Sequence, residues 1–147
     1  MVNAGDSVRC SSVRAAIITA IEGITPDVRS HAGDTFKHSR LDDATPRDRC
    51  FIVERVSPQA PAARALGAAD PYKVNFEVSV VYQATPTDAF YDRICNDADL
   101  VVDALRELAT DGDIHTVDIR GASDTVDVSG AHVASWTVDV TYDRRTA

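Results

Sequence analysis

Cysteine is scarce in this chain, and the few cysteines present form no pattern. Cys10, Cys50 and Cys95 lie far apart and include no C-x-x-C pair. An odd, widely spaced set of this kind argues for reduced thiols and against a disulfide framework. We therefore expect three small, partly buried side chains rather than a redox or structural bridge.

Long hydrophobic runs are also missing. No apolar segment approaches the roughly 20 residues that span a bilayer. The first ten residues carry Asp6 and have no apolar stretch of the kind that a signal peptide requires. These two observations predict a protein that folds in a cytosol and has no membrane contact.

The sequence lacks the motifs that carry common chemistries, such as G-x-S-x-G, a glycine-rich phosphate loop or H-E-x-x-H. His31 and His38 flank Asp34 in a polar connection, where no apolar stripe would orient them as metal ligands. A Ser/His/Asp set could assemble in space from His115 or His132, but nothing in the sequence favours it over chance. We expect no catalytic residue, no metal, no cofactor and no enzymatic activity.

Basic residues are few in the second half of the chain. Residues 85–147 carry thirteen acidic and five basic side chains, whereas residues 1–84 carry ten of each, so the net charge of −8 belongs to the second half. Such a field repels phosphate backbones and argues against tight nucleic-acid binding. Two interpretations stay open: a solvated acidic face, or a surface that faces DNA without holding it.

A seven-residue pattern occurs twice in the chain. Phe76–Tyr82 and Trp136–Tyr142 both read aromatic-x-Val-x-Val-x-Tyr. Strict alternation predicts a β-strand with one buried face, because successive side chains point to opposite faces. The residues that flank the two copies do not match, so two strands meeting the same burial requirement explain the pattern better than an internal repeat.

Two segments show helical spacing of apolar residues. The first helix is predicted from Val13, Ile17, Ala20, Ile21 and Ile24, with Gly23 and Pro26 at its end. The second is predicted to run from Asp88 to about Ala109, on an apolar stripe formed by Phe90, Ile94, Ala98, Val101, Leu105 and Leu108.

The remaining apolar segments predict strands at 50–56, 72–83, 114–120, 125–129 and 133–143, and a further short strand is compatible with 35–37. The predicted fold class is α+β, a mainly antiparallel sheet with two helices packed on one face, in the order α-β-β-α-β-β-β. At 147 residues the chain is most economically a single domain spanning 1–147.

Residues 57–71 contain three prolines and a run of alanines, and they predict an unusually long loop between two strands. A loop of this length is either an arm that contacts a partner or a hairpin connection with no role of its own. The candidate interface residues of this loop are Pro58, Pro61, Arg64 and Leu66.

The order of these elements resembles the tail terminator proteins of long-tailed bacteriophages. An N-terminal helix precedes the Arg-bearing strand Arg49–Val53 and a long strand that ends in Val80-Val81-Tyr82. The helix with Asp97–Val101 and Leu105, and a closing strand that ends in Val140-Thr141-Tyr142, fit the same family. The resemblance covers most of the chain, although the loop at 57–71 departs from a minimal version of the fold.

The resemblance implies a structural virion protein. Such proteins form a homohexameric ring that caps the tail tube, stops its polymerisation and joins it to the neck. The implied partners are other copies of the chain, the major tail tube protein and a neck or head-completion protein, at the tail–neck junction of a virion assembled in the host cytoplasm. DNA would pass through the lumen without specific binding.

The ring suggests two further groups of residues. The candidate acidic surface of the lumen comprises Asp97, Asp99, Asp111 and Asp113. The candidate interface charges are Arg47, Arg49 and Arg55. Two alternatives remain open: another phage neck or tail-completion protein, and a small cytosolic α+β ligand-binding protein or enzyme.

Overall fold

The computed structural model describes residues 7–25, 36–38, 49–62, 70–83, 88–110, 112–126 and 130–145. Its elements are α1 (Cys10–Glu22), β1 (Lys37–His38), β2 (Cys50–Pro61), β3 (Pro71–Tyr82), α2 (Asp88–Glu107), β4 (Ile114–Val126) and β5 (His132–Asp143). A 3-10 turn at Leu108–Thr110 follows α2. None of the helices in the described ranges is long and apolar enough to span a bilayer.

The five strands form one sheet in the order β1-β2-β3-β5-β4. β1 pairs parallel to β2, and every other pair is antiparallel. The two strands that share the repeated pattern, β3 and β5, are therefore neighbours at the centre of the sheet. Their apolar positions face each other in register, for example Phe76 opposite Val138 and Val78 opposite Trp136.

The core lies between one face of this sheet and both helices. Alternate residues of β3 and β5 are almost fully buried and contact the apolar stripes of α1 and α2. The helical contributors are Val13, Ile17 and Ile21 of α1 and Phe90, Ile94, Val101 and Leu105 of α2. Burying each such side chain contributes roughly 1.5–3 kcal/mol, which explains why the two periodicities decide the architecture. The predicted α+β class is confirmed.

Two predicted strands form a single strand in the structure. Segments 114–120 and 125–129 were expected to be separated by a turn at Gly121, whereas β4 runs from Ile114 to Val126. Register shifts between Ile114 and Thr116 and between Ile119 and Gly121 interrupt the ladder without ending it. Gly121 therefore follows a bulge in a continuous strand, which is a common place for glycine in a sheet. The short strand compatible with 35–37 overlaps β1 only at Lys37, because β1 comprises Lys37–His38; Phe36 precedes it, and Thr35 lies outside the described residues.

The long loop predicted at 57–71 is wrong at both ends. β2 continues to Pro61, β3 begins at Pro71, and the N–H of Ala62 donates to the carbonyl of Pro71 at 2.9 Å. Prolines are compatible with an edge strand, because the edge needs only one side of its backbone paired. Arg64 and Leu66 lie outside the described residues. We call the paired segments Val56–Pro61 and Pro71–Asn75 the hairpin arm.

Candidate functional site

A charged pair lies at the centre of the protein interior. The Nε and Nη2 atoms of Arg49 donate to Oδ2 and Oδ1 of Asp97 at 2.8 and 2.9 Å. Both side chains are 0% exposed. Arg49 has a left-handed backbone with φ of 59°, an uncommon conformation for a residue with a β-carbon. The bidentate pair ties the residue that precedes β2 to the middle of α2.

Aromatic side chains complete this buried network. The hydroxyl of Tyr82 donates to Oδ2 of Asp97 at 3.0 Å. Burial, followed by the nearby Asp97 carboxylate, raises the pKa of Tyr82 far above its ordinary value. The Arg93 guanidinium lies 5.3 Å from the centre of the Tyr82 ring, and Arg49 lies 5.6 Å from the centre of Phe36. Because Arg49, Asp97 and Tyr82 are enclosed, their chemistry supports the fold and does not face a ligand.

Two of the expected surface residues are therefore wrong. Asp97 cannot form an acidic surface, and Arg49 cannot act as an exposed interface charge, because each is fully enclosed and neutralised by the other. The sequence contains a signal that was missed. Asp97 lies three residues after Ile94 and four before Val101, which places it on the apolar stripe of α2 and not on its polar face.

The acidic surface lies instead on the outer face of α2. Asp99 is exposed there as expected, and the same face carries three further exposed acidic residues, Asp92, Asp103 and Glu107. Asp113 is largely buried and accepts a bond from Nη1 of Arg145 at 3.4 Å, so its charge is compensated. Asp111 lies outside the described residues. Among the described residues the acidic row therefore follows α2.

The sheet face opposite the helices is polar. Its residues include Asn75, Glu77, Ser79, Ser135, Thr137 and Thr141, which alternate with the buried positions of β3 and β5. Ser79 and Ser135 join their hydroxyls across the two strands at 2.9 Å. Within the described part of the chain both helices pack on the other side, so this face is open in a single copy.

One carboxylate on the open face is almost fully buried. Asp139 is 4% exposed, and its Oδ2 lies 2.7 Å from Nε of Arg120 and 3.9 Å from Nζ of Lys73. Its Oδ1 is enclosed and has no hydrogen-bond partner among the described residues. Asp118 lies directly opposite on β4, so a second acidic residue adds repulsion at this point. Arg120 is the closest compensating charge.

Two of the described interface candidates lie in the hairpin arm, and a third, Arg55, directly precedes it. Pro58, Pro61 and Arg55 are exposed, as the interface prediction requires, and Nη1 of Arg55 donates to Oε1 of Gln59 at 2.8 Å. Arg47 lies outside the described residues. Sequence reasoning missed Val56, which is 58% exposed and is one of three large exposed hydrophobic residues in the described ranges. The apolar residues at the start of β2 predict a buried strand, but only the first half of that strand is covered in the structure.

A shallow depression lies between α2 and the end of β4, which we call the α2–β4 groove. It has a volume of about 230 Å³, and its lining includes Ile94, Cys95, Ala98, Ala122, Ala134 and Trp136. Asp124 also lines it and bonds to Nε2 of His132 at 3.1 Å. Cys95 is exposed at this groove, whereas Cys50 is buried and Cys10 is half-buried.

The described histidines do not converge on a common centre. His115 faces Asp143 at 3.4 Å, His132 faces Asp124, and Nε2 of His38 lies 3.4 Å from Nη2 of Arg14. Among the described residues no three His, Cys, Asp or Glu side chains are grouped as metal ligands would be. His31 and Asp34 lie outside those residues.

Two comparisons with known proteins found no match for this chain. No protein-family model matches the chain, and the curated proteins contain no significant match. A function can therefore be argued only from the sequence pattern and from the surfaces described above.

Proposed function

We propose that this chain is a structural protein of a phage tail, which forms a ring on the end of the tail tube, ends tube polymerisation and provides the joint to the neck. Copies of the chain, the major tail tube protein and a neck or head-completion protein are its partners. The protein acts at the tail–neck junction of the virion after assembly in the host cytoplasm.

The acidic outer face of α2 is the observation that carries this proposal. Asp99, Asp103 and Glu107 follow one another at four-residue spacing, which places successive β-carbons about 6 Å apart on one side of the helix. Like charges at this spacing weaken the helix slightly, so stability does not account for the row. Facing a lumen, the row would repel the phosphates of passing DNA and keep them from binding.

The described interior gives no competing reason to expect catalysis. Its most reactive groups, Arg49, Asp97 and Tyr82, satisfy one another at 2.8–3.0 Å and are enclosed. The α2–β4 groove, at about 230 Å³, is smaller than the roughly 300–1,000 Å³ of most small-molecule sites. A second depression of about 350 Å³, beside Thr25, Asn96, Asp99 and Leu100, falls at the lower end of that range, so the proposal rests on the acidic face of α2 and not on pocket size.

A tube-capping assay tests the proposal. The purified protein is added to the tube protein of the cognate phage while tubes polymerise, and tube lengths and ends are measured by electron microscopy. We expect tubes that stop growing and carry a ring of extra density at one end. Tubes that keep growing and have bare ends would contradict the proposal.

The same assay distinguishes the alternative of a neck or tail-completion protein. Such a protein would leave tube growth unchanged and would appear on connectors or heads after incubation with those particles. Binding of a small ligand, together with no association with tubes, connectors or heads, would instead favour a ligand-binding protein.

A further inference from the structure

The two edges of the sheet are uncovered at different ends. On the outer side of β2, β1 pairs only with Cys50 and Phe51, and Nε of Arg14 donates to the carbonyl of Val53 at 2.9 Å. Beyond Val53 no described element pairs with that edge. β4 likewise has no strand on its outer side in the described ranges, and its second half, Gly121–Val126, is exposed throughout. Open edges of this kind are templates for pairing with another chain.

The uncovered half of β2 carries an apolar side chain and a positive charge side by side. Val56 is 58% exposed, and the neighbouring Arg55 is also exposed. Val56 lies at a register shift between Arg55 and Ser57, where a bulged strand turns a side chain out of the regular alternation. An exposed valine at an edge is a liability unless another surface covers it.

The uncovered half of β4 lies beside a groove that could receive Val56 and Arg55 of another copy. The α2–β4 groove is lined by small apolar side chains around Trp136, and its volume of about 230 Å³ is ample for a valine side chain. Asp124 lies at the groove with an exposed side chain and supplies its negative charge. Asp124 at the groove and Arg55 at the other edge carry opposite charges, and the apolar side chains around Trp136 suit Val56.

The strand directions permit the two edges to meet. Each neighbouring pair from β2 through β3 and β5 to β4 is antiparallel, so β2 and β4 run in opposite directions. A second copy placed beside the first in the same orientation would extend the sheet as an antiparallel ladder, with its helices on the same side. Ala122 is level with Val53 across the sheet, so Val56 meets the groove after a displacement along the strands of about 10 Å, three residues at 3.3 Å each.

We propose that the α2–β4 groove and the Arg55–Val56 segment are the two halves of one interface between copies of this chain, with Val56 seated in the groove and Arg55 beside Asp124. The interface is heterologous, because the two surfaces differ, and it leaves a new groove and a new β2 edge open at the ends of every pair. The contact follows from the two edges alone; only its closure into a tail ring rests on the proposed function.

A disulfide test uses a cysteine that the chain already has. Cys95 is exposed at the groove, and the substitution Val56→Cys supplies its partner. Within one copy β3 and β5 lie between the two positions, so this disulfide forms only between copies. Under mild oxidation at high protein concentration we expect a ladder of covalent oligomers that contains the 56–95 bond by peptide mapping. Glu22→Cys, on the exposed end of α1, is the control and should give no ladder.

A matched pair of arginine substitutions tests the groove itself. Ala122 lies in the groove and is exposed, so Ala122→Arg fills the groove without entering the core. We expect it to weaken self-association at least tenfold in sedimentation equilibrium. Thr141→Arg places the same side chain on the polar sheet face, away from the groove lining, and should leave association unchanged. The charge reversals Arg55→Asp and Asp124→Arg should each weaken association, and together they should restore part of it.

Three results would overturn the interface. The first is no 56–95 disulfide at any concentration at which the folded protein stays soluble. The second is equal association of the Ala122→Arg and Thr141→Arg proteins. The third is a dimer cross-linked through Thr125→Cys on both copies, which would assign β4 to a two-fold contact. Normal tube capping by the Ala122→Arg protein would reject the contact and keep the proposed function, whereas a confirmed disulfide without capping would do the reverse.

Discussion

Asp97 has a role that its charge alone does not suggest. It accepts both Arg49 bonds and the Tyr82 hydroxyl, and it thereby joins α2, the start of β2 and the end of β3. A buried pair of this kind adds little net stability compared with apolar side chains of equal volume, but removing one partner leaves an uncompensated charge. The pair therefore selects one arrangement of these elements, and it also holds Arg49 in its left-handed backbone conformation.

Replacement of Asp97 should be far more costly than replacement of its exposed neighbour. Asp97→Asn removes the carboxylate charge that faces the enclosed Arg49 guanidinium, and we expect a loss of about 3–5 kcal/mol in the free energy of unfolding. Asp99→Asn, two residues away on the outer face, should change it by less than about 0.5 kcal/mol. Urea denaturation followed by circular dichroism measures both. Similar losses in the two variants would show that the buried pair has no special role.

The raised pKa of Tyr82 makes a prediction about alkaline pH. In the unfolded chain tyrosine loses its proton near pH 10, whereas in the folded protein burial and Asp97 keep Tyr82 protonated at higher pH. Above about pH 10 the unfolded state therefore binds fewer protons than the folded state, and stability falls as the pH rises. Unfolding curves between pH 8 and 11 should show this loss. Tyr82→Phe should reduce the slope, and an unchanged slope would contradict the assignment.

At the scale of single elements, α2 and β2 each have one part that packs in the core and another part that is exposed. The inner side of α2 packs on the sheet, and its outer side presents the acidic row. Substitutions can therefore change the surface charge without changing the packing of the core. The same holds for β2, whose first half enters the core while its second half forms part of the hairpin arm. Surface substitutions on the outer side of α2 should consequently alter function without altering the fold.

Neutralising the acidic row should slow DNA passage while leaving the protein folded. In the triple variant Asp92→Asn, Asp99→Asn and Asp103→Asn, three repulsive charges are removed from one face, so DNA phosphates would adhere more readily. We expect tube capping to persist and DNA ejection from assembled phage to become slower, most clearly at low salt, where screening is weakest. Glu22→Gln, an exposed change on α1, is the control. Unchanged ejection kinetics in the triple variant would contradict a lumen role for this face.

At the scale of the whole molecule, the two edges of the sheet differ in the charged residues that they carry. The net charge of −8 comes from the second half of the sequence, which contains α2, β4 and β5. The exposed arginine Arg55 lies in the first half, on the opposite edge of the sheet. A molecule with an exposed carboxylate, Asp124, at one edge and an exposed arginine and valine, Arg55 and Val56, at the other is suited to head-to-tail association, because the two edges differ and can pair with each other.

The sequence alone determined the α+β class, the two helices and the two long strands that share the repeated pattern, whereas the pairing of those strands came from the tertiary structure. These follow from periodicities of two and of about 3.6, which any buried strand or helix face must show whatever surrounds it. The extent of β4, the length of the hairpin and the exposure of Val56 were decided by tertiary structure, because a bulge and an uncovered edge depend on which neighbours are absent. The burial of Asp97 and Arg49 was also decided by the tertiary structure. A carboxylate on the apolar stripe of a helix is buried only when a guanidinium from elsewhere in the chain neutralises it, and the local sequence of α2 does not contain that partner.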